Sequence, residues 1–163
     1  MLIFDESVPV KFLGAFDLPR EAGWMYTEDT NSYYTLSIRV NGSTDFYINN
    51  EVINVGVGDI LLIPPTLNYS QYTDGERIFA IHFNCLKYLN AETIVKQSIK
   101  DWDTVCKLFN DTYNLYAEKP KGWYYKASSL LYELLFLVYN EAEETQRHVD
   151  DNIDIGAEYL ERH

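Results

Sequence analysis

The chain has 163 residues, enough for one domain with a sizeable core and cramped for two, and 13 basic against 25 acidic residues give it a formal charge of −12. That balance disfavours contact with nucleic acid or an anionic membrane. The longest apolar run, Leu134 to Tyr139, is too short to span a bilayer, and residues 1–6 lack a basic secretory start, so a cytoplasmic location is expected.

Residues 1–22 hold Pro9, Gly14 and Pro19 and show no sustained period, which predicts an N-terminal arm with at most one or two short strands. Trp24-Met25-Tyr26 is a short aromatic segment, followed by a polar turn through residues 27–32. Strict alternation then begins, with Tyr34, Leu36, Ile38 and Val40 on one face and Tyr33, Thr35, Ser37 and Arg39 on the other. Asn41-Gly42 reads as a hairpin turn, Phe46 to Ile48 as a strand, Asn49-Asn50 as a two-residue turn, and Val52 to Val55 as the answering strand.

The most concentrated signal runs from Val55 to Pro65. Gly56 and Gly58 suit backbone conformations with positive φ, Asp59 is placed to hold the bend, Ile60 to Ile63 read as a strand buried on both faces, and Pro64-Pro65 end it. Gln71 and Tyr72 fall in a short strand, Asp74-Gly75 is a turn, and Ile78 to Phe83 is an apolar run interrupted by His82. Seven or eight short strands in the first 85 residues or so indicate an antiparallel sandwich or small barrel.

The pattern changes after Cys85. Residues 91–118 space Ile94, Val95, Ile99, Trp102, Val105, Leu108, Phe109, Tyr113 and Tyr116 in threes and fours, which predicts helix, and Pro120 and Gly122 break it. From Trp123 to Glu144 a second helix carries two apolar stripes. Trp123, Ala127, Leu130, Leu131, Leu134 and Val138 suit packing on the barrel. Tyr125, Tyr132, Phe136 and Tyr139 need another partner, so they are expected to form a homodimer interface. Residues 146–151 read as a polar linker, with a further helix capped by Asp151 or Asn152 and running through Ile153, Ala157 and Leu160. The organisation expected is a barrel with its arm over 1–88, a helical dimerisation region over 89–146, and a linker with the start of another helix over 147–163.

Cys85 and Cys106 match neither a disulfide framework nor a zinc motif and are expected as reduced core thiols. His82 is the only histidine of the barrel region, which is too few for a His-rich metal site, so no cofactor is expected. No nucleophile motif, phosphate loop or paired-carboxylate signature is present, and no basic cluster is visible that would neutralise a phosphate.

The chain resembles the N-terminal regulatory domain of AraC-type transcription regulators, a cupin-like barrel followed by a helical hairpin. The resemblance is carried by Leu36 to Arg39 before Asn41-Gly42, by Gly58 to Pro65, by Ile81-His82-Phe83, and by Ile155 to His163, which looks like the opening of the family's DNA-binding domain. It implies a sensor rather than an enzyme: a small effector, in many members a sugar, enters the barrel, and the homodimer presents DNA-binding domains that lie outside this segment.

On that resemblance Trp24, Tyr69, Gln71 and His82 are the ligand-lining residues. Arg39 could bind a ligand hydroxyl or carboxylate, although an exposed strand arginine is the default expectation. Ile78 and Ala80 stand where the arabinose-binding member places a pocket His and Trp, so a different ligand is expected. The alternative is a metal-free cupin enzyme of the sugar epimerase or isomerase kind, with His82 as base and Tyr69 as acid.

Overall fold

The computed structural model describes residues 8–28, 31–86 and 93–141. Eight strands precede two helices: β1 (Val10–Arg20), β2 (Trp24–Glu28), β3 (Tyr34–Ile48), β4 (Glu51–Gly56), β5 (Asp59–Ile63), β6 (Tyr69–Thr73), β7 (Glu76–Cys85), β8 (Val95–Ser98), α1 (Trp102–Glu118) and α2, described over residues 123–141. One sheet has the order β1-β7-β3-β5-β8, and all its pairs are antiparallel. In the other, β6 lies between β2 and the second half of β3, and β4 pairs the same half of β3. The mainly β class with a helical pair at its end is thus the observed one.

Three local readings are corrected. The expected arm is instead an eleven-residue strand, paired with β7 from Val10 opposite Cys85 to Arg20 opposite Glu76. β1 is an edge strand, where the donor missing from Pro19 costs no ladder bond, and Gly14 follows a register shift after Phe12. Second, Asn41-Gly42 is no hairpin turn, because β3 continues through it with a register shift between Arg39 and Asn41. Gly42 has φ +73°, and a Cβ there would lie 2.0 Å from the carbonyl oxygen of Gly75. Only glycine lets the two backbones approach so closely, and here β3 passes from one sheet to the other. Third, Val95–Ser98 is not helical. It extends β5, with Leu62 opposite Val95 and Asp59 opposite Ser98, and helix begins only at Trp102. The β-branched Ile94 and Val95 suit the sheet edge, and their side chains enter opposite cores.

The turns elsewhere follow the residue chemistry. Asn49 and Asn50 have φ of 50° and 62°, as a two-residue turn between β3 and β4 requires. At the next turn Gly58 carries φ +96°, whereas Gly56 is not left-handed; the Gly56 amide instead donates to Asp59 Oδ2 at 3.1 Å. Asp101 caps α1 by accepting from the Thr104 amide, and Lys119 ends the helix in the left-handed conformation before Pro120.

Strand alternation divides the interior. Leu36, Ile38, Ile60, Leu62, Phe79, Ile81 and Phe83 pack under the helices against Val105, Phe109, Ala127, Leu131, Leu134 and Val138. Inside the barrel Phe46, Ile48, Val55, Leu61, Ile63, Tyr69 and Ile94 form a second apolar cluster. The first α2 stripe is therefore the buried one. On the other stripe Tyr125 is 80% exposed, Phe136 62% and Tyr132 45%, while Tyr139 is half-buried. The Tyr132 hydroxyl accepts from the Val10 amide at 2.9 Å and so pins α2 to the start of β1. The linker and final helix expected after residue 146 lie outside the described residues.

Candidate functional site

The strand faces turned away from the helices border a cavity of about 170 Å³ between the two sheets. Thr35, Ser37 and Arg39 come from the polar face of β3, with Tyr33 just before it, Ile78, Ala80 and His82 from β7, and Tyr69 and Gln71 from β6. Leu18 and Arg20 of β1, Tyr26 of β2, Asn31, Phe46 and Ile63 complete it. Its size is below the usual range for a drug-sized ligand, which suits a small molecule. A larger recess of about 580 Å³ lies between the helices, bordered by Lys107, Asp111, Glu118, Lys126 and Glu133. In that recess Lys107 is already paired with Asp111 at 3.0 Å. The barrel cavity is the candidate because buried polar groups converge on it.

Arg39 is 2% exposed, which corrects the expectation of an exposed strand arginine. Its Nε donates to Thr44 Oγ1 and its Nη1 to Ser37 Oγ, both at 2.9 Å. Glu76, also buried, lies 3.5 Å from Arg39 Nε and accepts a short hydrogen bond from the Thr44 hydroxyl. Arg20 Nη1 reaches the other Glu76 oxygen at 3.3 Å and Gln71 Oε1 at 3.1 Å. Two guanidinium groups thus share one carboxylate. Burial pushes the Arg39 pKa down to about 10 and lowers that of Arg20, with Glu76 opposing both shifts, so both stay charged at neutral pH.

Trp24 does not line the cavity. Its ring lies 3.8 Å from the Arg20 guanidinium carbon and stacks on Tyr26, so it holds Arg20 from behind. His82 is stacked on Tyr33 at 4.1 Å between centroids and flanked by Phe16 at 4.8 Å, and desolvation there pushes its pKa down to about 4. It is neutral at ordinary pH. Asn31 Oδ1 is buried and, among the described residues, has no hydrogen-bond partner. Among the described residues no three His, Cys, Asp or Glu side chains gather as metal ligands, and no helix is long and apolar enough to cross a membrane.

The fold therefore brings Tyr69, Gln71, His82 and Arg39 to one cavity and leaves Trp24 one layer out. Sequence reasoning missed Arg20, Glu76 and Asn31. Arg20 was hidden by the reading of residues 1–22 as an arm. The available signal was the polar face of β3: such a face on a strand sandwiched between other elements must meet something polar.

A family model described as the AraC-like ligand binding domain matches residues 19–135, more than half of the sequence. The chain belongs to this family. ToxT from Vibrio cholerae, in its apo K231A form, is similar in fold at 12% identity and a TM-score of 0.55, over 82% of this chain and 56% of ToxT. Wild-type ToxT bound to unsaturated fatty acid matches at 11% identity and a TM-score of 0.49, over 83% of this chain and 54% of ToxT. An RmlC-like cupin protein from Desulfovibrio desulfuricans matches at 12% identity and a TM-score of 0.37, over 52% of this chain and 88% of that protein. A protein of unknown function from Pseudomonas syringae matches at 9% identity and a TM-score of 0.44, over 60% of this chain, which spans 39% of that protein. No curated protein matches the sequence.

Proposed function

We propose that this AraC-like ligand-binding domain is the effector-sensing and dimerisation part of a transcription regulator, and that its effector is a sugar or similar small polar molecule held in the barrel cavity. The observation that carries the reading is the concentration of polar groups, the buried Arg39, Gln71 and Ser37, the partly buried Arg20 and the Asn31 oxygen, around a small cavity in an otherwise apolar barrel. Structural stability alone favours apolar filling at such a place, whereas ligand recognition needs a few convergent polar groups.

In this reading the exposed face of Tyr125, Tyr132 and Phe136, continued by Tyr139, joins two copies of the chain. An effector-dependent shift in the barrel reaches that face through α2, which packs on the barrel strands and hydrogen-bonds β1 through Tyr132. DNA contact belongs to a separate domain, consistent with the −12 charge here, and the setting is the cytoplasm.

The epimerase-like alternative is disfavoured by His82. An imidazole with its pKa pushed down to about 4, stacked on Tyr33 and flanked by Phe16, is a weak base at neutral pH. Thermal-shift screening of sugars, polyols and small organic acids tests the proposal, with Ala80→Leu as the control that fills the cavity. Stabilisation of the wild-type chain that disappears in Ala80→Leu is expected; ligands that stabilise both equally would overturn it.

A further inference from the structure

Among the described residues the cavity wall carries positive charge. Its lining contributes, among those residues, two cations, Arg20 and Arg39, and no anion; Glu76 adjoins both guanidinium groups, and Asp59 also acts on Arg39. Asp17 and Arg77 satisfy each other on the outer surface at 2.7 Å. The bonds of Arg39 to Thr44 and Ser37 use Nε and Nη1, and among the described residues no hydrogen bond engages Nη2. Arg39, buried, and Arg20, partly buried, thus border the cavity with no carboxylate in the described lining, so an anion there would meet two charged donors.

A second group points the same way from elsewhere on the wall. Asn31 Oδ1 is a buried acceptor without a donor among the described residues. Its main chain is fixed, since the Asn31 carbonyl accepts from the Thr66 amide at 3.1 Å. A buried acceptor left in this state costs roughly 1–3 kcal/mol, and a ligand hydroxyl supplies the missing donor.

Resting on the reading of this cavity as an effector site, we infer that the effector is a small hydroxy acid whose carboxylate seats on Arg20 and Arg39 and whose hydroxyl donates to Asn31. The charge selects the acid. A carboxylate matches the guanidinium fork in bidentate hydrogen bonding and costs less to desolvate than a phosphate dianion in so small a cavity. A neutral sugar would satisfy Asn31 but offer the two guanidinium groups no charge-assisted hydrogen bond. The aromatic and aliphatic wall of Tyr33, Tyr69, Phe46, Ile63 and Ile78 accommodates the carbon chain.

The test is calorimetric titration of the 163-residue chain with hydroxy acids of two to six carbons, from glycolate and D-glycerate to D-gluconate, each against its neutral alcohol or sugar, and with inorganic phosphate. At least one acid should bind about tenfold or more tightly than its neutral counterpart and than phosphate. Arg20→Gln, which leaves the Arg39–Glu76 contact in place, should weaken that acid about tenfold, and Asn31→Ala about threefold or more, with far-ultraviolet dichroism unchanged. Neutral compounds or phosphate binding in preference to every acid, or acid binding that both variants leave intact, overturns the inference. If neutral compounds bind and Ala80→Leu abolishes it, the sensor reading survives while the acid does not; if nothing binds, both fall.

Discussion

Glu76→Gln isolates the buried charge cluster, because it changes one oxygen to an amide nitrogen and leaves the shape of the side chain intact. Arg39 would keep its hydrogen bonds to Thr44 and Ser37 but lose the carboxylate 3.5 Å from Nε. Removing one partner of a buried pair costs about 3–5 kcal/mol, since the remaining charge is left uncompensated. Arg20 lessens the loss, because its side chain keeps 16% exposure and can regain some hydration; that of Arg39 keeps 2% and cannot. The lower end, about 3 kcal/mol, is therefore expected. For a chain of this size that is a fall in Tm of roughly 6–12 °C. Urea unfolding at pH 7 reads the free energy directly, through a lower midpoint at unchanged slope. Combining Glu76→Gln with Arg39→Met removes the orphaned cation and should recover at least about 1 kcal/mol of the loss. A single-variant cost below about 1 kcal/mol, or strict additivity in the double variant, would refute the claim that these charges depend on one another.

Three further outcomes follow from other parts of the fold. Gly42→Ala should cost at least about 2 kcal/mol in the same unfolding assay, because it combines a φ of +73° with a Cβ 2.0 Å from the Gly75 carbonyl oxygen. His82, held at about 4 in the folded chain and ordinarily near 6.5, takes up its proton first in the unfolded state; its share of stability is full above pH 6.5 and is lost as pH falls toward 4. His82→Phe should flatten that part of the stability profile between pH 7 and pH 4.5, and an unchanged slope would show that the imidazole is not desolvated as described. Tyr125→Glu with Phe136→Glu should convert a dimer to a monomer in light scattering while Tm stays within a few degrees, since both rings are exposed within the chain; an unchanged mass would remove the α2 face from the interface.

Much of this architecture was legible because the residues that set it act locally. Asn49-Asn50, Asp59 with Gly58, the four apolar residues before Pro64-Pro65, and the Leu130, Leu131, Leu134 and Val138 stripe each obey a short-range rule and fold accordingly. The misread segments are those where a distant partner decides. Val95–Ser98 becomes a strand because β5 offers an unpaired edge, and β1 tolerates Pro19 because it is itself an edge. Asn41-Gly42 kinks a continuous strand because the Gly75 backbone lies against it.

The same distinction governs the site. Arg39, Gln71, Tyr69 and His82 could be nominated from strand position, whereas the Arg20–Glu76–Arg39 cluster joins residues far apart in sequence. Arg20 and Glu76 meet only because β1 pairs β7 to its last residue. Strand alternation had already placed Tyr33, Thr35, Ser37 and Arg39 on one face. What it lacked was the knowledge that the second sheet closes over that face.

The location of the bound effector tests the account most directly. Methyl resonances of Ile63, Ile78 and Ala80 report on the barrel cavity, and those of Leu108, Leu115 and Leu130 on the recess between the helices. Titrated with the hydroxy acid that binds most tightly, the chain should show its largest shift changes at the first three, and Ala80→Leu should abolish them. Shifts concentrated at Leu108, Leu115 and Leu130, with the cavity methyls unmoved, would contradict the assignment of the barrel as the sensing site.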